Sequence, residues 1–237
     1  MARTADIDYQ VGESTMVGRL ALPEADSPRP AVLIAHDGNG LDAYQKGRPD
    51  RFAQLGYVAF ALDYSGGGKP ISDEEAEVRC QELWFAPERI RTLAGAGLDV
   101  LLAEPLTDAS RVAAVGYCFG GAVVLELARA GADIRAVVGF HPRLATRRPH
   151  DAGNIRSRVL VCAGSEDPHL SVQERRAFED EMRHGNVDWQ LHLYGGAKHN
   201  FTRPGAEQTG RAGVEYNETA DRRSWRAMLD LFNEALS

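Results

Sequence analysis

A single thiol, Cys118, stands at the middle of Gly116-Tyr117-Cys118-Phe119-Gly120. The apolar run 112–115 before it reads as a strand, and 121–130 after it reads as a helix ending at Gly131. A strand, a tight turn and a helix therefore carry the sulfur at their apex. Such a bend is strained and lifts the apical side chain clear of the sheet. Glycine two residues to either side relieves the crowding. The first turn of the helix points free N–H groups at the apex, and with the helix dipole they favour negative charge there. A thiol in that place is easier to ionise, and an oxyanion formed beside it is stabilised. The spacing G-x-C-x-G thus points to covalent nucleophilic chemistry.

A nucleophile of this kind needs a base, and the base needs an orienting acid, in the chain order nucleophile, acid, base. The strand-like run 158–164 is followed by Ser165-Glu166-Asp167-Pro168. The alternating run 187–194 is followed by Gly195-Gly196-Ala197-Lys198-His199. Cys118, Asp167 and His199 each fall just past the C-terminal end of a strand, the rim where open parallel sheets meet ligands. Asp167 is not needed as a helix cap, because Ser171 and Glu174 already form a capping box.

The elements that must position these groups alternate along the chain. Residues 15–22 and 31–36 read as early strands, the first within an antiparallel edge hairpin. Helix is expected over 42–55, strand over 57–62, a short helix over 72–80 and a helix over 87–103 with proline in its first turn. In that helix Ile90, Leu93, Gly97 and Leu101 form one stripe. A strand over 135–140 and helices over 171–184 and 219–236 complete the pattern. In the last helix Trp225, Met228, Leu229, Phe232 and Leu236 read as core. Alternating strands and helices imply an α/β fold with a mainly parallel, doubly wound sheet. The chain reads as one domain over 1–237. About eighteen residues separate residue 140 from residue 159, too few for a large lid.

Composition narrows the function. A net charge of −7 argues against a nucleic-acid partner. No run of apolar residues is long enough for a membrane span, and the N-terminus lacks the apolar region of a signal peptide. The three cysteines, at 80, 118 and 162, show no metal or disulfide spacing. Cys80 and Cys162 read as small buried apolar residues. A cytoplasmic location suits a reactive thiol.

Attack on an ester carbonyl creates a negative oxygen that needs preorganised donors. One is the backbone N–H of Phe119. The second comes from the loop His36-Asp37-Gly38-Asn39-Gly40, where Gly38 allows close backbone approach. Gly66-Gly67-Gly68-Lys69 fails the phosphate-loop template, because Pro70 stands where Ser or Thr must hold magnesium. It reads as a flexible crossover.

These motifs, with Leu83-Trp84, His199-Asn200-Phe201-Thr202-Arg203 and Asp221-Arg222-Arg223-Ser224-Trp225, resemble the dienelactone hydrolase family over nearly the whole chain. The resemblance implies a lidless α/β-hydrolase fold and a Cys118–Asp167–His199 triad that needs no metal or organic cofactor. It implies a small ester or lactone as substrate. The family glutamate that holds the resting thiol matches Asp37, one methylene shorter, and Trp84 falls in the pocket. Arg203 matches the arginine that grips a substrate carboxylate. A second such arginine has only Arg79 nearby, out of register. The expected protein is a monomer or homodimer with neither nucleic acid nor membrane as partner. Two rival readings share the scaffold: a thiol-based redox or electrophile sensor using Cys118, and a binding protein that retains the pocket without catalysis.

Overall fold

The computed structural model describes residues 3–237. Strand β3 (Arg29–Ala35) shows how the sheet is covered. Ala31, Leu33 and Ala35 face one side, Val32 and Ile34 the other, and all five are fully buried. A strand with period-two alternation but apolar residues on both faces needs helices on both sides.

The helices supply this. On one face lie α2 (Asp73–Phe85), α3 (Pro87–Ala103), α4 (Phe119–Arg129) and α5 (Val172–His184). On the other lie α1 (Ala43–Ala53) and α6 (Glu218–Ala235). The remaining strands are β1 (Arg3–Val11), β2 (Ser14–Leu22), β4 (Val58–Leu62), β5 (Thr107–Tyr117), β6 (Ala136–Phe140), β7 (Arg158–Gly164) and β8 (Trp189–Tyr194). Their order in the sheet is β1-β2-β4-β3-β5-β6-β7-β8. The β1–β2 and β2–β4 pairs are antiparallel, and all others are parallel. This is the doubly wound α/β-hydrolase arrangement. Strand order reverses at β3, so the crevice between the C-terminal ends of β3 and β5 is the expected ligand position.

The stripe along α3 is buried as read, and Gly97 has a packing reason: a Cβ there would lie 2.7 Å from Leu62 Cβ. Met228, Phe232 and Leu236 are buried, with Trp225 and Leu229 packed against the same cluster. Both hydrogen bonds of the Ser171–Glu174 capping box are present. Between β6 and β7 only a short 3-10 turn, Pro149–Asn154, intervenes, and no large lid is formed.

Two expectations are corrected. The helix read as 72–80 continues to Phe85, because nothing stops it until Ala86, which precedes Pro87 and takes an extended φ of −128°. The glycine crossover is not loose. The buried Asp63 carboxylate accepts hydrogen bonds from the N–H groups of Val17, Ser65, Gly66 and Gly68 at 2.8–3.1 Å. It pins the loop to the sheet.

Candidate active site

The glycines around Cys118 are dictated by contact. A Cβ on Gly116 would lie 2.0 Å from the Gly120 carbonyl oxygen. A Cβ on Gly120 would lie 2.2 Å from the His36 oxygen. The start of α4 therefore rests backbone to backbone on the end of β3. Between the glycines Cys118 takes φ +54° and ψ −119°, a strained conformation for a residue with a Cβ. Its N–H donates to Phe140 O at 3.0 Å, and its carbonyl accepts from Gly121 N at 3.0 Å, which holds the bend.

The three residues singled out in sequence meet. His199 Nε2 lies 3.1 Å from Cys118 Sγ, and His199 Nδ1 lies 2.8 Å from Asp167 Oδ2. The other Asp167 oxygen accepts from His169 N at 2.8 Å, which fixes the carboxylate. Burial disfavours charge on the His199 ring, but the Cys118 sulfur and the Asp167 carboxylate outweigh it and hold the imidazolium up to about 10. The ring thus keeps its proton at neutral pH and faces the sulfur as a cation.

Among the described residues, neither Phe119 N–H nor Gly38 N–H has a protein acceptor. Phe119 opens α4, and the loop bearing Gly38 continues from the segment on which Gly120 rests. Two backbone donors are thus unused, one at the start of α4 and one in the loop after β3.

Other expectations change. Asp37 does not hold the thiol. Its carboxylate accepts from Asn39 N at 3.1 Å, Gln45 Nε2 at 2.8 Å and Arg203 Nη1 at 3.1 Å. The shorter side chain turns into the loop rather than toward Cys118. Arg203 is not free for a substrate carboxylate. Its second nitrogen binds Asp42 Oδ2 at 2.5 Å, so two acids offset one guanidinium. Arg203 instead ties the histidine loop to the Gly38 loop. Arg79 is half-buried on α2 beside Cys80, with no acidic partner among the described residues and no contact with the triad.

Cys80 is closer to the chemistry than its sequence position suggests. A Cβ on Gly38 would lie 3.0 Å from its sulfur. Burial pushes the Cys80 thiol up to about 12, with the Cys118 and Asp37 charges adding to the effect. It stays protonated, which suits a pocket wall and not an attacking resolving thiol. Cys162 is buried in β7 on the other face of the sheet, its thiol likewise raised to about 12 by burial.

Several supporting residues escaped the sequence reading. His141 follows β6, and its ring centroid lies 5.2 Å from that of His199. Burial keeps it neutral, and its Nε2 meets Thr202 Oγ1 at 2.9 Å. Tyr44 and Arg48 of α1 bind the Thr202 carbonyl at 2.6 and 3.3 Å. With Gln45 they make the inward side of α1 polar. That pattern, polar residues one turn apart where an apolar stripe belongs, was the available signal. His169 stacks edge-on at 4.8 Å from the His199 ring.

The comparisons fit this geometry. The model of the dienelactone hydrolase family matches residues 16–236. The chain belongs to the dienelactone hydrolase family. The solved structure named m3DLH is similar at 42% identity and a TM-score of 0.96, covering 100% of this chain and 99% of the other. A dienelactone hydrolase-like promiscuous phosphotriesterase from metagenomic libraries is 39% identical, also with a TM-score of 0.96, over 100% and 99% of the two chains. The carboxymethylenebutenolidase of Pseudomonas putida is 24% identical over 84% of this chain and 86% of its own length. Like other dienelactone hydrolase family chains, this one has the sheet and helices of a hydrolase for small molecules. Among the described residues no helix is long and apolar enough to cross a membrane.

Proposed function

We propose that this protein hydrolyses small esters or lactones through a Cys118 acyl-thioester. The observation that carries the reading is the 3.1 Å contact between Cys118 Sγ and an imidazole whose other nitrogen lies 2.8 Å from Asp167. Cys118 Sγ attacks as a thiolate, with the imidazole beside it carrying the proton. It attacks the carbonyl carbon, and the carbonyl π electrons move to oxygen. The N–H groups of Phe119 and Gly38 take up that negative charge, each worth about 3 kcal/mol of barrier. As the carbonyl reforms, the C–O bond to the leaving group breaks. His199 Nε2 gives its proton to the departing oxygen, leaving a thioester and a neutral ring. Water then enters, gives its proton to His199 Nε2, and attacks the thioester carbonyl. Collapse of that second intermediate returns the thiolate and releases the acid. Asp167 holds Nδ1–H throughout and steadies the charged ring.

Arg203 serves this cycle as a positioning residue. By binding Asp37 and Asp42 it couples the base-bearing loop to the loop of the second oxyanion donor. The same thiolate and donors fit a phosphoryl group, and the likeness to a phosphotriesterase extends the proposal to neutral phosphotriesters.

Rapid mixing with 4-nitrophenyl acetate tests the mechanism. A burst of nitrophenol, with an acetyl adduct on the Cys118 peptide after acid quench, is expected. The Cys118→Ala variant should lose the adduct and about 10⁴-fold or more in turnover. Unchanged turnover in that variant would remove Cys118 from the reaction.

A further inference from the structure

The two edges of the sheet are guarded differently. At one edge β1 exposes Arg3, Asp6 and Asp8, charges of the kind that discourage pairing with another chain. At the other edge β8 reads Trp189-Gln190-Leu191-His192-Leu193-Tyr194, with no charged residue, proline, glycine or bulge. Leu193 is 45% exposed there. Among the described residues no strand pairs with the outer side of β8.

Backbone parity fixes how that edge can be extended. Val159 N–H donates to Asp188 O at 2.8 Å, and Ser165 N–H donates to Tyr194 O at 2.9 Å. The even-numbered residues thus turn their backbone groups toward β7. The N–H and C=O groups of Trp189, Leu191 and Leu193 point out of the sheet. Their side chains share the α5 face, where Trp189 and Leu191 pack against the core and Trp189 meets the Phe178 ring edge-on at 5.9 Å. A second β8, antiparallel about a two-fold axis through Leu191, engages all three outward residues. Leu191 then pairs with the partner's Leu191, and Trp189 pairs with the partner's Leu193. Each pair exchanges backbone hydrogen bonds and sets apolar side chain against apolar side chain.

The charges on α6 carry the same symmetry. Beside the C-terminal end of β8 the helix exposes Arg222, Arg223 and Arg226, none with a carboxylate in ion-pair range among the described residues. With His192, Tyr194 and Asp230 they line an open groove between α6 and β8. Beside the start of β8 the helix exposes Asp230 and Glu234, and Glu234 and Asp188 share the single Arg158 at 3.9 and 3.2 Å. A two-fold axis through the middle of β8 runs the two α6 helices antiparallel. The basic half of each then faces the acidic half of the other. That local match opposes the repulsion expected between two chains of net charge −7.

We propose that the β8 edge docks a second copy of this chain, giving a two-fold dimer with one sheet continuous across both subunits. The dimer stands apart from the chemistry at Cys118 and does not depend on it.

Sedimentation equilibrium tests it. The wild type should associate to a dimer, and a monomer at every concentration up to about 100 μM would overturn the proposal. Leu193→Lys puts a charge into the seam and should raise the dimer Kd about 100-fold or more, with an unchanged circular dichroism spectrum. Arg226→Glu and Asp230→Arg should each raise Kd about tenfold. The double variant Arg226→Glu/Asp230→Arg should return Kd to near the wild-type value, because the exchanged charges meet again across the axis. A dimer indifferent to Leu193→Lys, or no recovery in the double variant, would overturn this surface. Hydrogen exchange reads the register directly. Amides of Trp189, Leu191 and Leu193 should gain protection as concentration rises, while those of Gln190 and His192, turned toward β7, should not change. Exchange at the odd positions that ignores concentration would assign any dimer to another face.

Discussion

The two ends of α4 use buried charge for opposite purposes. At its N-terminus a strained cysteine faces one imidazolium across 3.1 Å, and the nearby N–H donors are unoccupied. At its C-terminus Arg129, only 1% exposed, is saturated. It donates to both oxygens of Glu181 at 2.7 and 2.9 Å and to Glu126 at 3.0 Å. Glu126 also accepts from Arg91 and from Thr146 Oγ1, and Arg91 continues to Asp151. Every charge there has its opposite, so nothing is left to react. Even so, burial raises the Glu181 carboxyl above its ordinary range with Arg129 beside it. Such networks define geometry more than they add net stability. A saturated network fixes the helix from behind, and an unsaturated pair at the front is free to do chemistry.

The comparison breaks first at the cysteine. Cys118→Gly should abolish turnover, about 10⁴-fold or more, yet keep or raise Tm because glycine accepts φ +54° without strain. A fall in Tm would show that the front end also holds the fold together. At the back end Arg129→Met should act the other way. It strands the buried Glu181 carboxylate, takes one of two arginines from Glu126 and should cost about 3–5 kcal/mol in denaturant unfolding. Below the midpoint the surviving folded fraction should keep its kcat. Near-wild-type stability would show the network to be dispensable.

The smallest effect is in pH dependence. The His199 pKa is raised from its ordinary 6.5 to about 10. Whatever stability the charged ring contributes is complete below the ordinary value and is lost as pH rises through about 10. The proposed active form shares that proton, so kcat/KM should hold through neutral pH and fall on an alkaline limb near 10. Asp167→Asn removes one source of the shift, so its residual activity should decline at lower pH. An unmoved limb would separate Asp167 from the ring's charge.

Chemistry written into a local pattern was readable from the residues. Gly116 and Gly120 announced the bend, and the strand-end positions of Asp167 and His199 announced their meeting. Pro87, the Ser171 capping box and the α6 stripe did the same for the scaffold. The pairs that escaped join residues far apart with no local signature. Arg203 meets Asp37 across 166 positions, and nothing in either segment reports that two acids will surround the guanidinium. Trp84 and Arg143 are ordinary residues until the fold stacks the Arg143 guanidinium 3.9 Å from the centre of the Trp84 ring. Strand β1 has no continuous apolar run; its signal is the alternation Ala5, Ile7, Tyr9 and Val11, of which Ile7, Tyr9 and Val11 meet the core while the residues between them are exposed. Residues 107–111 likewise begin β5 ahead of its apolar part, because their polar side chains face solvent.

The bare backbone contact between Gly120 and the end of β3 has a consequence for how such proteins diversify. No side chain separates helix from strand there, so no substitution can act as a shim that widens or narrows the gap. The spacing of the amide hydrogens beside the sulfur is inherited from the polypeptide itself. New specificities must then arise at the walls, where residues can be exchanged, while the anion cradle passes unchanged from one descendant to the next.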